Sequence, residues 1–156
     1  MSAQPAVHTS FVIERRFAAP AALVFAAWAD GAVKARWSTC HAENGETEYS
    51  QDFRKGGREL YRATLPDGRP QSVEKVFFDI VQDRRIVFAY DIEAGGVRLS
   101  ASLVTVEFEP EGDATFMRLT EQLAYFDGYY DREERLHGTA EGLDRLALEV
   151  EAAGAH

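Results

Sequence analysis

The chain has 156 residues, of which 46% are hydrophobic and 12% aromatic, so the composition predicts one folded domain and excludes a disordered chain. A formal net charge of −9 disfavours nucleic acid and anionic membrane surfaces as partners. The single cysteine, Cys40, cannot form an internal disulfide. The sequence shows no signal peptide, and no apolar run approaches the roughly 20 residues that a membrane span needs. We therefore expect a cytoplasmic protein.

The first predicted elements are one strand and two short helices. The stretch FVIERRF (11–17) alternates apolar and polar residues as a strand does. The stretch AAPAALVFAAWADG (18–31) changes to a helical period, and Pro20 suits its first turn because a missing N–H costs little there. The stretch AVKARW (32–37) predicts a second short helix.

Six segments rich in β-branched and aromatic residues follow, and each of them predicts a strand. The joins between them are short and carry Gly, Pro or Asp, as hairpins require. Parallel strands would need crossover segments that this stretch lacks, so the sequence predicts an antiparallel meander. The six segments are GETEYSQDFR (45–54), GRELYRATL (57–65), QSVEKVFFDIVQ (71–82), RRIVFAYDIE (84–93), VRLSASLVTVEFEP (97–110) and ATFMRLTEQLAYF (114–126).

The adjacent glycines Gly56 and Gly57 raise the question of a phosphate-binding loop. Such a loop joins a strand to a helix, so that the helix N-terminus and backbone amides face the anion. Here a strand pattern follows the glycines, and no Lys-Ser or Lys-Thr pair accompanies them. We therefore expect a structural bend in which the glycines supply positive φ angles.

The segment DGYYDREERLHGTAEGLDRLALEVEAAG (127–154) has the strongest helical pattern, and Asp127 is placed to cap its start. We place one domain at residues 9–153 and expect residues 1–8 to form a disordered tail. The predicted class is α+β: a curved antiparallel sheet of six to seven strands wrapped around a long C-terminal helix, with two short helices after strand 1. A single helix across a concave sheet leaves a gap, and such gaps are commonly ligand cavities.

Several stretches carry a family resemblance: RRFAAPAALVFAAWAD, WSTC, DFRKGGREL, DRRIVFAY, MRLTEQLAYFDG and REERLHGTAEGLDRLALEVE. Their order and spacing resemble the START/polyketide-cyclase/birch-allergen (SRPBCC) superfamily, and within it the branch similar to the activator of heat-shock chaperone ATPase homologues. The resemblance covers residues 9–150 and implies a helix-grip fold. Many members carry a His where this chain has Glu121, so a role written for that His does not carry over. Fold does not fix function, and the resemblance implies no particular chemistry.

Candidate ligand-binding residues are aromatic side chains on strands and helices, with a few polar ones around the start of the C-terminal helix. Any single aromatic is more simply explained as core, yet we expect several of them to line the cavity. The candidates are Trp28, Trp37, Tyr61, Phe88, Tyr90, Glu121, Phe126, Tyr129, Arg132 and Leu136.

Arg132 has two interpretations. It falls near the helical stripe that faces the sheet, where an unpaired Arg would be costly, so it could pair with Glu121 and orient a polar ligand group near Gln122. Alternatively, its side chain could extend past the core and reach solvent.

Other chemistry has weaker signals. Cys40 and His41 are adjacent and would point in opposite directions in an extended segment, and no metal-binding spacing occurs, so we expect neither a metal site nor a cofactor. The Gly-x-Ser-x-Gly pattern of serine hydrolases is absent. Glu74 could act as a general acid or base if buried, although exposure is the simpler expectation.

The leading functional hypothesis is binding of a small hydrophobic molecule, including aromatic ones, in a cavity between the sheet and the C-terminal helix. One alternative is a cyclase, dehydratase or hydrolase that uses a cavity carboxylate. A second is a chaperone-interaction module, suggested by the branch alone. We also expect a two-fold homodimer, with Tyr49 or Phe53 exposed on an edge strand.

Overall fold

The computed structural model describes residues 4–38 and 47–154, which form one seven-stranded sheet and three helices. This confirms the predicted α+β class, with two short helices after the first strand. Cys40 and His41 lie outside the described residues. In chain order the elements are β1 (Val7–Phe17), α1 (Ala21–Ala29), α2 (Gly31–Ser38), β2 (Glu48–Gln51), β3 (Arg58–Thr64), β4 (Pro70–Val81), β5 (Arg85–Ala94), β6 (Val97–Glu111), β7 (Ala114–Tyr125) and α3 (Arg132–Gly154).

The sheet is open, and its strand order is β1-β7-β6-β5-β4-β3-β2. Every neighbouring pair is antiparallel, so β2 to β7 form the predicted meander and β1 pairs with its last strand. The register shifts between Phe77 and Asp79 in the β4–β5 pair, and between Ile92 and Glu93 in the β5–β6 pair. Irregularities of this kind bend a sheet, which helps its concave face to curve around α3.

The hydrophobic core lies between the concave face of the sheet and the helices. Along β7, every second residue from Thr115 to Tyr125 is buried, as expected for a strand with one face on the core. This alternation places the acidic Glu121 on the inner face, between two leucines. On α3, the side chains of Leu143, Leu146 and Val150 are buried in this core.

The C-terminal helix starts later than the sequence pattern predicts. Asp127 has a φ of 52° and Gly128 a φ of 86°, so both residues adopt left-handed backbone that cannot belong to an α-helix. Asp127 is therefore part of a turn rather than the helix cap, and its Oδ1 accepts a hydrogen bond from the backbone N of Gln4 at 3.1 Å. At the other end of the chain, β1 begins at Val7, so Val7 and His8 lie in the sheet. Within the described ranges, no helix combines the length and apolarity that a bilayer crossing needs.

The two adjacent glycines occupy a bend before β3, and each is required for a different reason. Gly56 has a φ of 78°, as predicted, and a Cβ on it would meet no atom within 4 Å. Gly57 does not have a positive φ, which corrects the expectation for that residue. Instead, a Cβ on Gly57 would lie 2.0 Å from the backbone O of Asp52 and 2.9 Å from that of Arg54. Gly56 is needed for backbone conformation and Gly57 for space.

We therefore expect Gly57→Ala to be the more harmful of two matched substitutions. Its added methyl group must push backbone atoms apart, which should lower the free energy of unfolding by about 2–3 kcal/mol. Gly56→Ala should cost only about 1–2 kcal/mol, the usual penalty of a left-handed non-glycine residue. Urea denaturation of both variants measures this difference, and equal costs would show that the bend relaxes around the new methyl group.

Candidate functional site

A row of polar side chains crosses the concave face of the sheet. Its members are register partners on successive strands: Gln51 pairs with Glu59, Glu59 with Lys75, Lys75 with Tyr90, and Tyr90 with Ser102. Register partners point to the same face of an antiparallel sheet, so these side chains lie side by side. We call these five residues the polar row.

Glu121 on β7 extends the polar row. Its Oε2 accepts hydrogen bonds from the hydroxyls of Tyr90 at 2.5 Å and Ser102 at 2.8 Å, and Nη1 of Arg135 lies 3.7 Å from the same oxygen. No described residue donates a hydrogen bond to the other carboxylate oxygen, Oε1. Burial, followed by the charge of Glu121, raises the pKa of Tyr90, so this phenol stays protonated and continues to donate.

Arg135 on α3 covers this end of the polar row. Its Nη2 donates to Oγ of Ser100 at 2.9 Å and lies 3.2 Å from Oδ1 of Asp131, and its side chain is only 6% exposed. The guanidinium also lies over the rings of Tyr90 and Tyr125, at 5.8 and 5.5 Å from their centroids. This cation is therefore buried with paired and hydrogen-bonded partners, as burial of a charge requires.

Arg132 does not line either cavity, and its guanidinium lies at the edge of the sheet. Its Nε and Nη2 donate to the backbone O of Ser10 on the edge strand β1, at 3.3 and 3.1 Å, and its Nη1 bonds to Glu133 at 2.6 Å. The predicted ion pair with Glu121 is formed by Arg135 instead. The reason is the late start of α3, which leaves Arg132 at the first helical position beside the sheet edge.

The other end of the polar row holds a buried ion cluster, which we call the lysine–glutamate cluster: Lys34, Glu59 and Lys75. Nζ of Lys34 donates to Oε1 of Glu59 at 2.5 Å and to Gln51 at 3.1 Å, while Nζ of Lys75 lies 3.2 Å from Oε2 of Glu59. Burial lowers the pKa of Lys34 to about 8. Burial alone would raise the pKa of Glu59, but the charges of Lys75 and Lys34 outweigh it and lower that pKa to about 2.

A cavity of about 300 Å³ lies between these two polar ends, bounded by the sheet, α3 and the two short helices. A smaller cavity of about 190 Å³ adjoins it and shares Ser38, Val73 and Lys75 with it. Tyr61 lines the smaller cavity. Five of the ten predicted ligand-binding residues line the larger one, namely Trp28, Trp37, Phe88, Tyr90 and Glu121.

The structure places the other predicted residues outside both cavities. Tyr129 and Leu136 pack against the core, and the hydroxyl of Tyr129 donates to Asp131 at 2.8 Å. Phe126 is half-buried at the end of β7 and, like Arg132, does not line either cavity. The neighbour of Glu121, Gln122, is exposed on the opposite face of the sheet.

Sequence reasoning missed several residues that line the larger cavity. On α3 these are Arg135, Gly138, Thr139 and Gly142, which recur at helical spacing and so share one face. The small residues Gly138, Thr139 and Gly142 lie on one face of a clearly predicted helix, and they leave space between that helix and the sheet. This pattern in the sequence could have indicated the cavity. On β4 the missed residues are Val73 and Lys75, and Lys75 is one of three charged residues in that strand.

Trp28 brings an unusual feature to the cavity wall. Its side chain is 3% exposed, yet its Nε1 has no hydrogen-bond partner among the described residues. The neighbouring Trp37 differs, because its Nε1 donates to the backbone O of Ala27 at 3.0 Å. Most buried polar groups are hydrogen-bonded, so the free N–H of Trp28 is a notable exception.

The remaining candidates for chemistry lie away from this site. Glu74 is exposed and lines neither cavity. His137 is exposed on α3, 3.3 Å from Glu141. In the part of the chain that the structure describes, no group of three or more His, Cys, Asp or Glu residues could hold a metal ion.

Two solved structures are similar to the chain over nearly its whole length. A protein from Rhizobium leguminosarum shares 43% identity, with a TM-score of 0.89 and coverage of 95% of this chain and 97% of that one. The Mll3558 protein from Rhizobium loti shares 40% identity, with a TM-score of 0.86 and coverage of 94% and 99%. An AHSA1-like protein from Aeromonas hydrophila shares 22% identity at a TM-score of 0.68, with coverage of 95% and 96%, and supports the fold alone.

The family comparison agrees with these structures. None of the curated proteins matches the chain. The family model described as Activator of Hsp90 ATPase homolog 1-like protein matches residues 18–152. This range contains α1, α2, β2 to β7 and nearly all of α3. The chain therefore belongs to the Activator of Hsp90 ATPase homolog 1-like family.

Proposed function

We propose that this protein binds a small hydrophobic, aromatic molecule in the cavity between the concave sheet and α3. The volume of about 300 Å³ lies at the small end of the range of about 300–1,000 Å³ that ligand pockets usually have. Trp28, Trp37 and Phe88 provide aromatic walls, on which a ring can stack or pack edge to face. Glu121 and Arg135 supply a polar end that can orient a substituent.

One observation carries this proposal: a buried polar group without a hydrogen-bond partner belongs to a residue that lines this cavity. It is the Nε1–H of Trp28, which donates to none of the described residues. A buried group without a partner costs about 1–3 kcal/mol. A ligand that supplies an acceptor for this N–H removes this cost, so the cavity favours an aromatic molecule with a polar substituent.

Filling the cavity from α3 should abolish binding without harming the fold. Gly138 lines the cavity, and a Cβ on it would meet no atom within 4 Å. Gly138→Leu should therefore place its side chain in the ligand space, while replacing a helix-interior glycine should raise helix stability by up to about 1 kcal/mol. We expect at least a tenfold loss of affinity for naphthalene, 2-naphthamide and 2-naphthoate, with unchanged or increased thermal stability.

Tryptophan fluorescence measures this directly, because both tryptophans of the chain line the cavity. Gly138→Ala is the matched control, since its single methyl group gives the same helical benefit but leaves most of the space open. Loss of binding in Gly138→Leu alone supports the cavity as the site. Equal binding by both variants would place the ligand elsewhere on the protein.

A second candidate function is acid–base catalysis on the bound molecule by Glu121. The observation that favours it is a carboxylate that is 2% exposed, lines the cavity and keeps Oε1 free of described donors. A base in such a position can take a proton from a ligand that lies within hydrogen-bond reach. Conversion of a bound ligand by the native protein, lost in a Glu121→Gln variant that still binds, would identify an enzyme.

The chaperone-interaction alternative and the homodimer stay predictions. One argument for the homodimer is weakened, because Phe53 packs edge to face on Phe25 at 5.7 Å and on Phe77 at 5.1 Å between ring centroids. It therefore contributes to the core rather than to an exposed edge. Tyr49 is half-buried and lines the smaller cavity.

A further inference from the structure

We infer that the ligand is an aromatic carboxylate whose carboxylate group binds Nζ of Lys75 at the junction of the two cavities. This inference rests on the proposed function and names the chemical class of the ligand. Lys75 lines both the 300 Å³ and the 190 Å³ cavities, so a group bound to it lies where the two spaces meet.

The charges around Lys75 favour an anion. The lysine–glutamate cluster combines two ammonium groups with a single carboxylate, so it carries one positive charge that no member of the cluster balances. Lys34 is 1% exposed and lines neither cavity, whereas the side chain of Lys75 is 17% exposed and lines both. The surplus charge is therefore accessible only at Lys75 within this cluster.

The hydrogen bonds of the cluster point to the same residue. An ammonium group has three N–H donors. Lys34 uses two of its donors, on Glu59 and Gln51, at 2.5 and 3.1 Å. Lys75 has one described acceptor, Oε2 of Glu59 at 3.2 Å, so it retains donors for an incoming carboxylate.

The surroundings of Lys75 explain why the anion should belong to an aromatic molecule. Its Nζ lies 5.0 Å from the ring centroid of Phe88 and 5.8 Å from that of Tyr90. The ammonium therefore makes cation–π contacts with two aromatic rings that line the larger cavity. The unpartnered N–H of Trp28 is a further donor on this wall. At the opposite end, the carboxylates of Glu121 and Asp131 balance the cation of Arg135, so that end has no surplus positive charge to hold an anion. The cavity is thus polarised, and a carboxylate should bind at the Lys75 end.

Three probes that share one aromatic ring system test this inference: 2-naphthoate, its neutral isostere 2-naphthamide, and unsubstituted naphthalene. We expect the native protein to bind 2-naphthoate at least tenfold more tightly than 2-naphthamide, as measured by tryptophan fluorescence at pH 7. In Lys75→Met, which keeps the length of the side chain but removes its charge, this ratio should fall to within about twofold. Lys75→Arg should retain most of the preference, because it keeps a cation at the same position.

Lys55→Met is the matched control, since it removes the same charge from a side chain that is 67% exposed and lies outside both cavities. Its ratio should equal that of the native protein. A native ratio near one, or a preference that persists in Lys75→Met, would overturn the inference while binding of the neutral probes still supports the proposed function. If none of the three probes binds, the proposed function fails, and this inference fails with it.

Discussion

Replacing Glu59 with Gln should lower the free energy of unfolding by about 3–5 kcal/mol, the usual cost of removing one partner from a buried ion pair. Glu59 is 2% exposed and is the carboxylate that both lysines of the cluster contact. Without it, the fully buried ammonium of Lys34 loses its anionic partner and keeps a second cation, Lys75, nearby. Gln51 and the amide oxygen that this substitution introduces can still accept from Lys34, but both groups are neutral and cannot replace the lost charge.

A double-mutant cycle with Lys34→Met isolates this interaction. Because the two substitutions remove the same contact, their combined cost should be smaller than the sum of the single costs by about 1–3 kcal/mol. Glu48→Gln is the matched control, since Glu48 is 72% exposed and lies 3.7 Å from an exposed Arg62, so it should cost under about 0.5 kcal/mol. Additive single costs in urea denaturation would show that Lys34 does not depend on Glu59.

The same cluster sets the acid stability of the fold. The pKa of Glu59 is lowered from 4.5 to about 2, so the unfolded chain takes up a proton at a higher pH than the folded one. Its stabilising effect, on the order of 3 kcal/mol, is therefore fully present above pH 4.5 and is lost as the pH falls toward 2. The difference in stability between the native protein and Glu59→Gln should shrink over that range.

The fold follows closely from sequence patterns, and the reasons are local. Period-2 alternation and short Gly- or Asp-containing joins predict the meander, and the apolar stripe of α3 predicts the helix that packs on it. Helix boundaries follow less well, because the left-handed Asp127 ends a pattern that otherwise looks continuous. Gly57 shows the same limit, since a close approach of backbone from Asp52 depends on the folded turn.

The candidate site is harder to predict because it depends on how elements meet. Arg132 and Arg135 lie three residues apart, so both fall near one helical face, and only the start of α3 decides which faces the sheet. Lys75 is visible in the sequence as one of the charged residues of a predicted strand, but its pairing with Glu59 depends on strand register. Irregular register, such as the shift at Phe77, is set by the folded sheet and leaves no pattern in the sequence.

The second large effect concerns Arg135 and Glu121. Arg135→Met should lower the free energy of unfolding by about 3–5 kcal/mol, because it leaves the carboxylates of Glu121 and Asp131 without their shared cation in a buried setting. Arg132→Met provides the matched control on the same helix. Its side chain is 29% exposed and donates to the backbone of Ser10, so its removal should cost under about 1.5 kcal/mol.

A cycle of Arg135→Met with Glu121→Gln tests whether the two charges are coupled, and we expect a coupling of about 1–3 kcal/mol. The neutral amide that Glu121→Gln introduces can still accept from Tyr90 and Ser102, so the double variant should recover part of the stability that Arg135→Met loses. Equal costs for the two arginine variants would contradict the burial difference between them. A cycle without coupling would mean that Arg135 is held by Asp131 and Ser100 alone, and that Glu121 is free to act on a ligand independently of α3.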